Sequence, residues 1–123
     1  MSTRGTSGAL SFEFRHVGLN AGSPEGADEV GRFFSEIFGL PVSKDTAFSL
    51  YAGPSIEVVK GGGRGARGHI ALAVRDIAAA VAELESRGVE FDFDSAKREE
   101  SGEIFVIYLK KEIAGFAIHL QKA

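Results

Sequence analysis

The stretch His16-Val-Gly-Leu-Asn20 has a counterpart in His69-Ile-Ala-Leu-Ala73, on the far side of a glycine-rich centre at residues 61–68. In both stretches a histidine opens a run in which bulky apolar side chains alternate with small or polar ones, as in a half-buried β-strand. Self-similarity of this kind indicates repeated structural units. We therefore predict two copies of one module, each beginning with a strand.

A helix is predicted after the first strand of copy one. Its apolar residues recur at helical spacing and form one face, which we expect to pack on the core. The members of this face are Val30, Phe33, Phe34, Ile37 and Phe38. Ser23-Pro24 supplies an N-cap with a first-turn proline, and Gly39 supplies a left-handed stop.

The second copy repeats this organisation. Helical spacing joins Ile77, Ala80, Val81 and Leu84, with Asp76 as the expected cap and Gly88 as the stop. Shorter β-type runs follow each helix, at residues 40–60 and 89–121, and are broken at Ala52-Gly53-Pro54 and at Ser101-Gly102. Each copy thus reads as β-α-β-β-β, which is an α+β fold.

The domain organisation follows from these boundaries. Residues 1–11 are small and polar and are predicted to be a disordered leader. Residues 12–123 form a single domain, with module one at 12–60, a glycine-rich linker at 61–68 and module two at 69–122.

Four side chains that can bind a metal occupy two equivalent places in this repeat. His16 and His69 open the modules, whereas Glu57 and His119 lie in the matching last strands. Alternation places each of them on a face shared mostly with glycine, alanine and serine, opposite a bulky face that we expect to pack the helices. The alternative is an ordinary solvated sheet face, but such a face normally carries lysine, threonine, glutamate and arginine. We therefore predict one divalent metal ion, held by these four residues in a cleft.

The chain has no cysteine, so the ligands are imidazole and carboxylate groups. Such a set suits zinc, iron, manganese, cobalt or nickel, without choosing between them. Glu57 is either a permanent ligand or a base that moves a proton on a substrate carbon, and we also assign it as the catalytic candidate.

Further residues are predicted to line the cleft and bind the substrate. Tyr51 and Tyr108 lie on strands expected to run beside it, and Asn20 shares the face of His16; Ser49 and Gln121 offer further hydrogen bonds.

The linker sequence Gly63-Arg-Gly-Ala-Arg-Gly68 fits the glycine pattern of a dinucleotide-binding turn. We reject this reading because a strand-like run, rather than a helix, follows it. The plain interpretation is an intermodule linker, and a less favoured one is an anion-binding loop in which Arg64 and Arg67 meet a carboxylate or phosphate. Arg67 is retained as a candidate substrate-binding residue.

Bulk properties exclude several classes of function. The 14 basic and 17 acidic residues give a net charge of −3, which argues against binding to nucleic acid or to an anionic membrane. No apolar stretch is long enough for a membrane span, and no secretory signal is recognisable. We expect a cytoplasmic protein with a small-molecule substrate.

The duplicated β-α-β-β-β unit, with candidate ligands on the first and last strands of each copy, resembles the vicinal oxygen chelate superfamily. That superfamily includes glyoxalase I, extradiol dioxygenases, fosfomycin-resistance proteins and methylmalonyl-CoA epimerase, and the resemblance covers residues 12–122. His16, His69 and Glu57 match the family's pattern, whereas His119 stands where glutamate is usual. The resemblance implies an open, U-shaped mixed sheet around the metal cleft, and a homodimer.

The resemblance also implies a function. We expect a metal-dependent, glyoxalase-like enzyme, a lyase, isomerase or dioxygenase, that acts on a small oxygenated metabolite chelated to the metal. His119 removes one candidate carboxylate base, which argues against lactoylglutathione lyase activity. The alternatives are a non-catalytic ligand-binding module, like the bleomycin-resistance members, and a metabolite-sensing module. The C-terminal stretch Gly115-Phe-Ala-Ile-His-Leu120 is most similar to small bacterial domains, some of them fused to ketohydroxyglutarate or ketodeoxyphosphogluconate aldolases.

Overall fold

The computed structural model describes residues 10–123 and contains two β-α-β-β-β modules, as predicted. Module one consists of β1 (Glu13–Asn20), α1 (Pro24–Phe38), β2 (Val42–Asp45), β3 (Ser49–Ala52) and β4 (Ile56–Val59). Module two consists of β5 (Gly68–Val74), α2 (Ile77–Ser86), β6 (Phe91–Arg98), β7 (Ile104–Leu109) and β8 (Phe116–Lys122).

The helices begin where their capping residues predict. The Ser23 hydroxyl accepts a hydrogen bond from the Gly26 amide at 2.9 Å, and the Asp76 carboxylate accepts one from the Ala79 amide at 3.0 Å. Helix α1 ends at Gly39 with a φ of 69°, the left-handed conformation that glycine adopts without strain. Helix α2 ends two residues before Gly88, which has a φ of 91°.

All eight strands form one open mixed sheet, in the order β2-β3-β4-β1-β5-β8-β7-β6. The first strands of the two modules, β1 and β5, pair antiparallel at its centre. Each of them also pairs in parallel with the last strand of its own module, β4 or β8. The four strands that carry the predicted ligands are therefore adjacent.

The two helices pack on one face of this sheet, over two hydrophobic clusters. Module two has the larger one, formed by Val74, Ile77, Ala80, Val81, Phe91, Ile107 and Leu120. Module one has a smaller one, formed by Ala27, Leu50 and Val58. Neither helix of the described residues packs on the other face, and alternation along the strands places the predicted site residues there.

The prediction for the apolar face of α1 is wrong in its second half. Phe33, Ile37 and Phe38 are 53%, 63% and 62% exposed, and the helix packs through Ala27 and Gly31 instead. The reason is close approach: a Cβ atom at Gly31 would lie only 3.0 Å from Leu50 Cδ1. Helical spacing identified an apolar stripe, but it did not show that the small residues beside it form the contact with the sheet.

Two details concern the N-terminal region. Residues 1–9 of the predicted leader lie outside the described residues, and Leu10 packs against the module-two cluster. Strand β1 begins at Glu13, so His16 does not open it, and its pairing with β5 is irregular between Phe14 and His16.

Within residues 10–123, neither helix is long and apolar enough to cross a membrane.

Candidate metal centre

Sheet register places two of the predicted ligands in one row across the central strands. On β1, Gly18 is the register partner of Glu57 on β4 and of His69 on β5. His69 in turn pairs with Ala117 on β8. Register partners point to the same face of a sheet, so the two functional side chains in this first row are separated by a residue without a side chain.

The second row lies two residues along β1 and β5 and carries the other two ligands. His16 on β1 pairs with Ala71 on β5, and Ala71 pairs with His119 on β8. Large and small residues therefore alternate both along each strand and across the sheet. This arrangement leaves space into which three imidazoles and one carboxylate converge.

Gly18 is the smallest of these residues, and the His69 ring leaves no room for a side chain at its position. A Cβ atom built on Gly18 would overlap the imidazole ring of His69. The sequence showed that small residues accompany the ligands, but only the register shows which ligand Gly18 accommodates.

Three atoms of the predicted ligands meet at close range. His16 Nε2 lies 3.1 Å from His69 Nε2, and Glu57 Oε1 lies 3.3 Å and 3.0 Å from these two nitrogens. Ligands held about 2.1 Å from one ion lie about 3.0 Å apart at right angles and about 3.4 Å apart at the tetrahedral angle. The three atoms therefore have the separation of neighbouring ligands, and their chemistry fits a divalent metal.

His119 completes a three-histidine cluster. Nitrogen atoms of His16, His69 and His119 all lie within 4.8 Å of one another, so the three histidines can hold one metal ion. His119 is only 6% exposed, and this burial lowers its pKa to about 4. It is thus neutral at pH 7, the form that binds metals. Its Nδ1 faces the Leu120 carbonyl at 3.4 Å, which leaves Nε2 as the ligand atom.

Glu57 is held as a carboxylate. Hydrogen bonds from His16 and His69 lower its pKa far below the usual range and outweigh the effect of burial. Its second oxygen, Oε2, accepts a 2.8 Å hydrogen bond from the hydroxyl of Ser49, which is itself buried. The sequence offered Ser49 as a hydrogen-bonding residue of the cleft, and the structure gives it this partner.

The two predicted tyrosines flank the cluster on opposite sides. Tyr51 is the register partner of Glu57, and its ring meets that of His16 edge-on at 5.7 Å. Tyr108 is the register partner of His119, with ring centroids 4.9 Å apart. Burial raises the pKa of Tyr51 to about 12, helped by the charge of Glu57, and burial also raises the pKa of Tyr108. Both phenols therefore remain protonated hydrogen-bond donors.

The structure brings Asn20 and Arg67 to the linker rather than to the histidines. The Asn20 amide donates a 3.0 Å hydrogen bond to the Gly65 carbonyl. The Arg67 side chain crosses Gly115, where an added Cβ would lie 3.1 Å from it. The linker residue that reaches the site is Arg64, whose guanidinium lies 4.6 Å from the centre of the Tyr108 ring. Linker spacing alone could not distinguish these two arginines.

The linker also shows why its glycine pattern is not a dinucleotide-binding turn. Strand β5 begins at Gly68, at the end of the motif, and helix α2 begins only at Ile77. A dinucleotide-binding turn needs a helix N-terminus directly after the glycines.

Two β-α-β-β-β modules, joined through their first strands in one open sheet, make up the vicinal oxygen chelate fold. The structure is similar to a hypothetical protein from Bacillus halodurans C-125, with TM-score 0.66 and 21% identity over 91% of this chain and 94% of that chain. It is also similar to the methylmalonyl-CoA epimerase from Mycobacterium tuberculosis, with TM-score 0.63 and 18% identity over 89% and 87% of the two chains. For another methylmalonyl-CoA epimerase the values are 0.55 and 22%, over 89% and 93%.

These likenesses establish the fold. No protein-family model and no curated protein matches the chain. The chemistry must therefore be argued from the side chains of the site.

Proposed function

We propose that this chain is a metal-dependent enzyme of the vicinal oxygen chelate type, which moves a proton at a carbon atom of a small oxygenated metabolite. The observation that carries the proposal is the meeting of His16, His69 and His119 with one ionised carboxylate, Glu57, on the open face of the sheet. The three histidines and Glu57 would hold the ion. A divalent ion bound there supplies polarisation of substrate oxygens, which raises the acidity of the adjacent C–H bond.

Glu57 is the residue we assign to proton movement, because among residues 10–123 it is the carboxylate that meets the histidines of the cluster. Its pKa is depressed chiefly by hydrogen bonds from His16 and His69. A histidine nitrogen that serves as a metal ligand carries no proton to donate, so those hydrogen bonds are absent in the loaded site. A carboxylate bound to a divalent ion is a weak base, so Glu57 would take up the proton once Oε1, the oxygen that faces the cluster, leaves the ion.

Neighbouring side chains orient this carboxylate and flank the cluster. Ser49 holds Oε2 and so restricts rotation of the carboxylate, which orients the oxygen that accepts the proton. Tyr51 and Tyr108 lie on either side of the cluster and retain their hydroxyl protons. Their hydroxyls are therefore suited to donate hydrogen bonds to a substrate oxygen on which negative charge develops.

The structural neighbours support this choice of chemistry. Two of them are named as epimerases, enzymes that invert configuration at one centre. Among the lyase, isomerase and dioxygenase chemistries implied by the resemblance, we favour isomerase chemistry, in which Glu57 removes a proton from one carbon atom, as epimerases also must, and returns it on the same face to the neighbouring carbon.

Metal analysis and isotope exchange test the proposal together. Protein purified without a histidine tag is expected to hold about one equivalent of divalent metal, and His69→Ala is expected to lose it. The same analysis identifies the ion among zinc, iron, manganese, cobalt and nickel. Exchange of substrate protons in D2O is then followed by NMR, with methylmalonyl-CoA and hydroxyacetone as probes. Glu57→Gln should slow exchange by about 100-fold or more.

Glu83→Gln is the matched control, since Glu83 is an exposed glutamate of α2 that pairs with Arg87. It should alter neither metal content nor exchange. Unchanged metal content in His69→Ala would contradict the proposal. Tight probe binding without exchange would instead favour the non-catalytic module. The predicted homodimer, which the resemblance alone implies, is tested separately by analytical ultracentrifugation.

A further inference from the structure

The linker arginine Arg64 stands beside the proposed site although it belongs to neither module's strands. Its guanidinium carbon lies 4.6 Å from the centre of the Tyr108 ring, and that ring lies 4.9 Å from the ring of His119. Arg64, Tyr108 and His119 thus form a short series that leads from the linker to the histidine cluster. Stacking of a guanidinium on an aromatic face is favourable and holds its plane.

The fold fixes the backbone that presents Arg64. Asn20 donates to the Gly65 carbonyl at 3.0 Å, directly after Arg64 in the chain. Further on, the Ala66 amide donates to Glu112 Oε1 at 3.3 Å and the Arg67 amide to the Gly115 carbonyl at 2.8 Å. The loop is therefore anchored on both modules, and Arg64 does not depend on a bound ligand for its position.

Only part of the guanidinium is engaged. Arg64 Nη2 donates to Asp92 Oδ2 at 3.2 Å, and Asp92 is the register partner of Tyr108. Within residues 10–123 the guanidinium makes no other hydrogen bond, although it has five N–H donors. The Arg64 side chain is 47% exposed, so the remaining donors are accessible to a ligand.

Module one also places a cation beside its tyrosine, although from a strand rather than from the linker. Lys44 is the register partner of Tyr51, and its ammonium group lies 5.9 Å from the centre of that ring. Each tyrosine thus separates the cluster from a positive side chain. Glu57 is bonded to Ser49 and the two histidines rather than to these cations, and Arg64 has only the single hydrogen bond to Asp92 among residues 10–123.

We propose that Arg64 determines the substrate class: the substrate carries, beyond the oxygens at the histidine cluster, an anionic group that Arg64 pairs with. The inference rests on the proposed function, since it assigns a substrate to that same site. A guanidinium recognises carboxylate and phosphate alike through paired N–H donors, so either group satisfies the proposal.

Three probes that share a 2-hydroxy acid unit test it. Glycolate has that unit alone, malate adds a carboxylate, and 3-phosphoglycerate adds a phosphate. Their dissociation constants are measured by calorimetry on cobalt-loaded and on metal-free protein. We expect wild-type protein to prefer malate or 3-phosphoglycerate over glycolate, and the preferred member identifies the anionic group.

Arg64→Gln should weaken the preferred probe at least tenfold, leaving glycolate binding and cobalt affinity unchanged. Arg87→Gln is the matched control, because Arg87 is similarly exposed and pairs with Glu83 at 3.1 Å, as Arg64 pairs with Asp92 at 3.2 Å. Arg87→Gln should leave all three dissociation constants as they are. Asp92→Asn should tighten the preferred probe several-fold, since it frees a donor of Arg64.

The outcomes separate the two proposals. If cobalt binds but Arg64→Gln and Arg87→Gln behave alike, the inference about Arg64 is overturned and the proposed function stands. If cobalt does not bind, the proposed function fails. The dissociation constants of the probes on metal-free protein then test whether Arg64 binds the anionic group. Wild-type protein that prefers neither malate nor 3-phosphoglycerate over glycolate overturns the inference in either state.

Discussion

The two modules share a register but differ in the electrostatics of their last strands. Glu57 on β4 and His119 on β8 occupy equivalent places, opposite Gly18 and Ala71 of their own first strands. Glu57 is a partly exposed carboxylate, bonded to the Ser49 hydroxyl.

His119 is a buried imidazole with no such support. The position equivalent to Ser49, two residues before the module's tyrosine, is occupied by Val106. Burial disfavours a charged imidazole more than the Leu120 carbonyl favours it, and the pKa of His119 falls accordingly. The duplicated fold thus provides one anionic and one neutral candidate ligand, Glu57 and His119, from equivalent positions.

We expect the largest effect from a substitution at one of the two small residues, Gly18 and Ala71, that face the site on the first strands. Gly18→Ala places a methyl group where the His69 ring lies, so His69 must move away from His16 and Glu57. We expect metal affinity to fall by at least 100-fold, about 2.7 kcal/mol, measured by cobalt titration.

Ala71→Gly is the comparison at the equivalent position of module two. It removes a buried methyl group without displacing a ligand, so it should cost about 1 kcal/mol of unfolding free energy and leave cobalt affinity nearly unchanged. Equal effects of the two changes on cobalt affinity would show that the clearance at Gly18 does not form the site.

Gly18 also marks the limit of what the sequence predicts. The duplication, both helix starts and the strand breaks follow from local patterns, because caps, turns and alternation depend on neighbouring residues. The opposition of Gly18 and His69 depends on how β1 pairs with β5, and no local pattern specifies that register. The same reason explains why the sequence favoured Arg67 where the fold brings Arg64 to Tyr108.

The difference between a carboxylate and an imidazole also predicts how stability changes with pH. In metal-free protein the pKa of His119 falls from the ordinary value of 6.5 to about 4. The unfolded chain therefore takes up this proton first, and the folded state loses stability as the pH falls from about 6.5 towards 4. The contribution of His119 is on the order of 2 kcal/mol between pH 7.5 and pH 5.

Urea denaturation of metal-free protein at several pH values measures this contribution. His119→Gln retains a polar side chain that cannot titrate, so its unfolding free energy should depend less steeply on pH over the same range. Glu57 acts in the same direction but at lower pH, since its stabilising contribution is lost below about 4.5. If the slopes of wild type and His119→Gln coincide above pH 5, burial does not shift the titration of His119.

The smallest effect tests whether Ser49 supports the charge in module one. Ser49→Ala removes the hydrogen bond to Glu57 Oε2, so the carboxylate loses both a stabilising donor and part of its orientation. A partner that orients a ligand typically contributes at least tenfold to metal affinity, so we expect about a tenfold loss by cobalt titration. The pKa of Glu57 should also rise, because the hydrogen bond favours the ionised form.

Val106→Ala, at the equivalent place beside His119, removes only apolar contacts and should leave cobalt affinity unchanged. A loss in Val106→Ala as large as that in Ser49→Ala would mean that packing, rather than the hydroxyl, distinguishes the two halves of the site.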